Sequence, residues 1–321
     1  MMRIGLYVPS ADVTLDDIGA QVGAAETAGL DSVFFPQLTA WDALTVAALV
    51  GQRVPRIGLG TAVVRTYAVH PLALAGQALS VQAAIGNRLT LGIGPSHREV
   101  IEGQYGLSFD RPARHVREYL QVLRPLLRGE EVEQRGEAVS AAGIVDVPGS
   151  TPPSVLVSAL GPVMLRIAGE LADGTTTVWA GPEVIGDHIV PAVTRAAAAA
   201  GRPAPRVVAT IPVSVTADPD GVRADLAARL GAASRFASYR RLLGEQGKTD
   251  TSETLVAGDE DAVAAAIRRF AEAGVTELVA SVAGGEADRA RTVETLRHLR
   301  ETLPQTDDYG VTEAPASGTP A

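Results

Sequence analysis

Short aliphatic and β-branched runs alternate with Ala-rich stretches of helical period almost from end to end of this chain, and the alternation can be counted eight times in 321 residues. Strands are predicted over 3–9, 32–36, 57–64, 89–94, 154–158, 174–179, 206–215 and 277–282. Helical stretches follow them, for example 15–28, 72–85, 162–172, 182–200 and 288–302. Two strands joined through a helix run parallel, so the repeat predicts an α/β architecture. Eight such units favour an eight-stranded parallel (β/α)8 TIM barrel with insertions over an open doubly wound sheet. Ala28-Gly29, Ala200-Gly201 and Ala273-Gly274 share one punctuation, a glycine placed where a helix ends in the left-handed conformation before the next strand.

Composition narrows the partners. Hydrophobic residues make up 46% and aromatic residues only 4%, so the core is built from Ala, Val, Leu and Ile, which suits strands buried on both faces. One large domain over 1–304 is expected, with a Pro-, Gly-, Thr- and Asp-rich disordered tail over 305–321. A formal charge of −9 without any basic run argues against nucleic acid or an anionic membrane as partner and leaves a small-molecule substrate. With no cysteine, disulfides, thiolate metal sites and a cysteine nucleophile are excluded, and a reducing compartment fits. The opening MMRIGLYVPS is too short for a signal segment and no apolar run reaches membrane-spanning length, so a soluble cytoplasmic protein is expected. The Ala-rich outer helices permit a homodimer.

Two segments interrupt the repeat. Residues 129–153 carry short alternating runs with Gly and Pro and read as a hairpin after the fourth helix. Residues 219–255 add helical material around Phe236, Tyr239 and Arg240, ahead of a helix over 259–273. Extra material after a barrel strand falls on the catalytic face, so this insertion is either a substrate lid or an outer helical bulge. Trp41, Trp179, Phe236 and Tyr239 would line an apolar pocket if they face the barrel mouth and are otherwise packing residues.

The chemistry concentrates between Ile57 and Pro112. Thr61, Arg65, Thr66 and Tyr67 follow an apolar strand, and His70-Pro71 reads as an ordinary helix start, extended residue then proline. In GIGPSHRE, Gly92 and Gly94 permit close backbone approach while Ser96, His97 and Arg98 offer donors at a helix N-terminus, the makings of an anion site. The alternative is a tight turn capped by Ser96. A second strand-to-helix turn, Ser158, Ala159, Leu160 and Gly161, offers backbone N–H groups to a phosphate, while Asp173-Gly174 reads as a helix end. His97, His115 and His188 are scattered and no carboxylate spacing matches a ligand set, so no metal is expected. With no nucleophile elbow, Walker loop or Rossmann fingerprint either, an enzyme of this kind relies on an organic cofactor.

Three runs, GLGTAVVRTYAVHPLALAGQALSVQ, RLTLGIGPSHREVIEGQYGLSFDRPARHVREYL and SALGPVMLRIAGELADG, resemble the bacterial luciferase-like monooxygenase superfamily, and within it the branch that uses the deazaflavin coenzyme F420. The resemblance runs from Arg3 to about Leu303. It implies a bulge with a cis peptide between Ala62 and Val63 backing the cofactor ring. It also implies that Gly94 to Arg98, including Ser96 and His97, and Ser158 to Gly161 hold the ribityl chain and phosphate. Dehydrogenases of this branch carry an acid-base His after the second strand, whereas this chain reads FFPQLTAWDAL, with Gln37 and Leu38 there. That departure favours reduction of an activated C=C or C=N bond over alcohol oxidation, with Tyr67, His97 or water as the proton source. The alternatives are an FMN-dependent monooxygenase using oxygen and a non-catalytic cofactor-binding protein. A cofactor-free aldolase is disfavoured because Lys248 is the only lysine.

Overall fold

The computed structural model describes residues 2–9 and 11–303. The tail expected at 305–321 lies outside the described residues. Eight parallel strands form the body: β1 (Arg3–Tyr7), β2 (Ser32–Phe35), β3 (Gly58–Thr61), β4 (Leu89–Gly94), β5 (Ser154–Ser158), β6 (Gly174–Val178), β7 (Arg206–Val215) and β8 (Glu277–Val282). Each pairs with the next in chain order, and β8 pairs with β1 in the register Arg3 to Glu277, Gly5 to Val279. The ring therefore closes, as the eightfold repeat predicts. Helices cover the outside, and the main core of Val, Leu, Ile and Ala lies between them and the barrel.

The helix stops follow the sequence reading, with Gly29, Gly201 and Gly274 at φ of 72°, 66° and 89°. The stretch predicted as one helix over 182–200 passes through a π-helical turn at Ile185–Ile189, where the Val190 N–H reaches back to the Ile185 carbonyl. Pro191 immediately follows and has no N–H to continue the ladder. Residues 129–153 contain the expected antiparallel hairpin, Val132–Arg135 with Ser140–Gly143. Among the described residues no helix is long and apolar enough to cross a membrane.

Inside the ring, residues alternate in layers. At the amino-terminal end Arg206 donates to Glu277 at 2.6 Å, to Ser154 at 2.9 Å and to Thr90 at 3.2 Å, while the Ser32 hydroxyl donates to the other Glu277 oxygen. Burial pushes the Glu277 carboxyl up, but Arg3 and Arg206 outweigh it and hold the group ionised below the usual carboxylate range. Above this network sits a separate apolar plug of Phe34, Leu156, Val208 and Val279. Tyr7 and Ala62 pack on that plug from the carboxyl-terminal side and form the floor of the mouth. Room for the plug comes from Gly60, where a Cβ would overlap the Phe34 ring.

Removing Arg206 would leave a carboxylate that is 1% exposed without the cation bonded to it, with only the charge of Arg3 still acting on it. Arg206→Met is expected to lower unfolding free energy by about 3–5 kcal/mol in urea titrations, and the double variant with Glu277→Leu to recover most of it.

Candidate active site at the carboxyl ends of the strands

The third strand breaks where its chemistry begins. Leu59 and Gly60 pair with Leu89 and Thr90, whereas Val64 and Arg65 pair with Ile93 and Gly94. From Gly60 to Val64 the chain advances four residues against three on β4, so one residue is extruded as a bulge. This corrects the continuous strand predicted over 57–64. The Ala62-Val63 peptide within the bulge is cis, at the bond the family resemblance implies. The Thr61 hydroxyl bridges the gap by donating to the Gly92 carbonyl at 2.7 Å.

Gly92 and Gly94 owe their identity to this bulge. A Cβ on Gly92 would overlap the Thr61 carbonyl oxygen, and one on Gly94 would lie 3.0 Å from the Ser158 Cβ and 3.1 Å from a Val63 methyl. The close approach expected at these glycines is thus made first by the protein's own backbone. It also shows that the turn after β4 and the turn after β5 stand side by side. Gly92→Ala is expected to displace the bulge and cost about 1–3 kcal/mol of stability, measured by urea unfolding.

The two turns lead into helices whose first N–H groups receive no side-chain cap. The Arg98–Tyr105 helix starts from His97 and the Pro162–Leu171 helix from Gly161. The alternative, a turn capped by Ser96, is not formed: Ser96 sits at φ 66°, a left-handed turn that swings its side chain out of capping position. Arg98 runs along its own helix to Glu102 and donates to the Phe109 carbonyl at 3.3 Å, with the guanidinium 5.6 Å from the Phe109 ring. Ser158, Ala159, Leu160 and Gly161 occupy the neighbouring turn, and the Arg241 guanidinium from the long insertion lies over Gly161, 3.0 Å from where a Cβ would stand.

The insertion covers the mouth. Its Ser238 hydroxyl is 3.2 Å from His97 Nδ1, Phe236 stacks on the His97 ring at 4.3 Å, and Tyr239 meets His97 and Trp179 at 4.7 Å each. Gln246 secures the far end, accepting from the Gly181 N–H at 2.8 Å and donating to the Trp179 carbonyl at 3.0 Å. Residues 219–255 are therefore lid-like in position rather than an outer bulge. Trp41 stands apart from this aromatic group, donating to the Val13 carbonyl at 3.0 Å beneath the loops after β1 and β2.

Burial holds His97 below the ordinary histidine value, so it is neutral at pH 7. Tyr67 points elsewhere: its hydroxyl donates to the Asp110 carbonyl at 3.3 Å, and its ring lies flat on His115 at 3.9 Å. His115, read as scattered in the sequence, is buried beside Thr66, with Nε2 and Oγ1 3.0 Å apart. Its signal was available, since His115 and Tyr119 are four apart on one apolar face with Val116 and Leu120. His70 caps its helix through the Leu72 N–H and contacts the Ser140 carbonyl at 3.0 Å, as a structural histidine does. The Gln37 carboxamide, in the place of the expected His, accepts from the Ala43 N–H at 2.8 Å.

Burial pulls His115 down to about 4. The unfolded chain takes up this proton near pH 6.5 and the folded one only near 4, so stability is present above 6.5 and lost as pH falls toward 4. Wild type is expected to lose up to about 3 kcal/mol across that window through this residue, and His115→Phe to show a correspondingly shallower dependence of Tm on pH.

The sequence profile of the family described as luciferase-like monooxygenase matches residues 2–277. The chain belongs to that family. Among curated members, an F420-dependent glucose-6-phosphate dehydrogenase of Beutenbergia cavernae is 30% identical, the alignment covering 95% of this chain and 97% of the relative. Such relatives place the chain on the coenzyme F420-dependent oxidoreductase branch of the luciferase-like family. The fold agrees. An F420-dependent secondary alcohol dehydrogenase, solved with an F420-acetone adduct, superposes with a TM-score of 0.80 at 18% identity over 95% of this chain and 100% of that one. The coenzyme F420-dependent tetrahydromethanopterin reductase of Methanopyrus kandleri superposes at 0.75 and 22% identity, over 92% and 97%.

Proposed function

We propose that this luciferase-like protein binds coenzyme F420 in the barrel mouth and reduces an activated C=C or C=N bond of a small organic substrate. The juxtaposition of the Ala62-Val63 bulge with two uncapped helix N-termini carries the reading. A deazaflavin needs a flat backing for its ring and donors for its phosphate, and these residues fit both demands. Ala62 and Val63 would stand behind the ring. The backbone at Gly94, Ser96 and His97 and at Ser158, Ala159, Leu160 and Gly161 would hold the phosphate, with Arg241 above it. When bound, the reduced deazaflavin supplies a hydride.

The direction of reaction follows from what is missing. Gln37 cannot take a proton from an alcohol at neutral pH, and its carboxamide oxygen is engaged by Ala43. Trp179, Phe236 and Tyr239 offer apolar walls and, with the lid, keep water from the reacting atoms.

A phosphate cradle of backbone N–H groups would also accept FMN, which keeps an oxygen-using monooxygenase as the second reading. Fluorescence titration of the purified protein with F420 and with FMN separates them. F420 is expected to bind at least about tenfold more tightly, a difference of about 1.4 kcal/mol, with no oxygen uptake on turnover. Tight FMN binding with no response to F420 would overturn the proposal.

A further inference from the structure

At the mouth, several of the protic side chains that the sequence analysis and the family resemblance point to are already engaged, and the Tyr239 hydroxyl, which is not, belongs to the insertion rather than to the barrel. Tyr67 donates to Asp110, Thr61 to Gly92, His115 is paired with Thr66, His97 is bonded to Ser238 between two aromatic rings, and Gln37 is held by Ala43. Tyr7 is different. It is the last residue of β1, two residues along from Gly5, whose Cβ would overlap the Ser32 hydroxyl in the polar network; the strand period therefore turns Tyr7 inward too. Its ring rests with Ala62 on the plug of Phe34, Leu156, Val208 and Val279. Its hydroxyl makes no hydrogen bond to any described residue, although it belongs to the floor of the mouth directly beside the bulge.

Tyr7 is half-buried, its ring packed on the plug and its hydroxyl at the mouth, so a bound substrate can take the hydrogen bond that no described protein group takes. We infer that Tyr7 is a catalytic residue: its hydroxyl donates a hydrogen bond to the heteroatom conjugated with the substrate's reducible bond and delivers the proton that completes the reduction. The inference rests on the deazaflavin reading for its hydride. The hydride, with its electron pair, forms a C–H bond at the electrophilic carbon; the π pair of the C=C or C=N bond moves to the heteroatom end. That end takes the phenol proton, and the tyrosinate regains one from solvent. The substrate gains two electrons and two hydrogens, and the reduced deazaflavin is oxidised by two electrons.

Two properties of the site suit this role. Desolvation, with Tyr239 close by, holds Tyr7 above the ordinary tyrosine range, so the hydroxyl stays protonated and able to donate a hydrogen bond, and only the charge that arrives on the bound heteroatom draws its proton off. The ring is carried by a barrel strand rather than by the insertion, so the packing of the barrel sets the position of its hydroxyl. No local pattern points to it, because an inward tyrosine at a strand end looks like core until its neighbours are known to leave the hydroxyl free.

Tyr7→Phe retains the ring packing and removes no protein hydrogen bond, so the variant is expected to melt with the wild type. Two measurements decide its role, with 2-cyclohexen-1-one labelled at the carbonyl carbon as probe. In infrared difference spectra, the carbonyl band of the bound enone is expected at lower frequency in wild type than in Tyr7→Phe. In single-turnover experiments with reduced F420, the variant is expected to bind the cofactor within about threefold of wild type yet to reduce the enone about 10²–10⁴-fold more slowly. An identical carbonyl band in the two proteins, an absent bound band in wild type, or an undiminished single-turnover rate overturns the role of Tyr7. Failure of wild type to bind F420 while the band still differs overturns the deazaflavin reading and leaves Tyr7 as a carbonyl-binding group.

Discussion

A closed ring of eight parallel strands leaves room inside for only a few large side chains, and every feature of this protein depends on how that space is shared. Phe34, Leu156, Val208 and Val279 fill the middle because Gly60 gives up its place to the Phe34 ring. Below them the strands can tolerate ions, provided each is paired, and Arg206 with Glu277 meets that condition together with Ser32, Thr90 and Ser154. Above them the apolar layer ends at Tyr7 and Ala62, and reactive space begins. The plug thus separates a structural charge network from a chemical site only a few residues along the same strands.

The bulge after β3 links the barrel to that site. A one-residue slip against β4 lifts the Ala62-Val63 segment into the mouth, and the strand recovers its pairing at Val64 and Arg65. Gly92 and Gly94 are required because the displaced backbone and the neighbouring Ser158 occupy the volume of their side chains. The same glycines bring the turns after β4 and β5 together, which places two uncapped helix N-termini side by side. The proposed ring backing and phosphate cradle therefore depend on one local accommodation, and a substitution in either glycine is expected to disturb both.

Much of this architecture was legible in the chain. Strand positions, the hairpin at 129–153 and the glycine stops follow from periodicity and turn chemistry, which are local properties. The cis bond and the paired loops were read through resemblance, since no local rule singles out Ala62-Val63. Side-chain assignments fared differently. Ser96 and Arg98 sit where donors were expected, yet Ser96 turns into the left-handed region and Arg98 is drawn to Glu102 and Phe109. Tyr67, attractive as a proton donor by position, is held against His115 and the Asp110 carbonyl, contacts that span 48 and 43 residues of sequence.

The eightfold βα repeat, the lack of thiol chemistry and the two strand-to-helix turns suited to an anion are readable from the chain alone, because each is a matter of composition or of spacing within one unit, whereas closure of the ring rests on the pairing of β8 with β1. Which polar groups face the mouth unengaged depends instead on the assembled barrel. That outcome depends on pairing across units: the insertion after β7 fastens on His97, the helix over Pro112–Leu127 claims Thr66 and Tyr67, and Ala43 occupies Gln37. A hydrogen bond is satisfied by whatever the fold brings within about 3 Å, and sequence distance carries no record of it. Tyr7 is left over by that accounting, on the floor of the site, with its proton unshared.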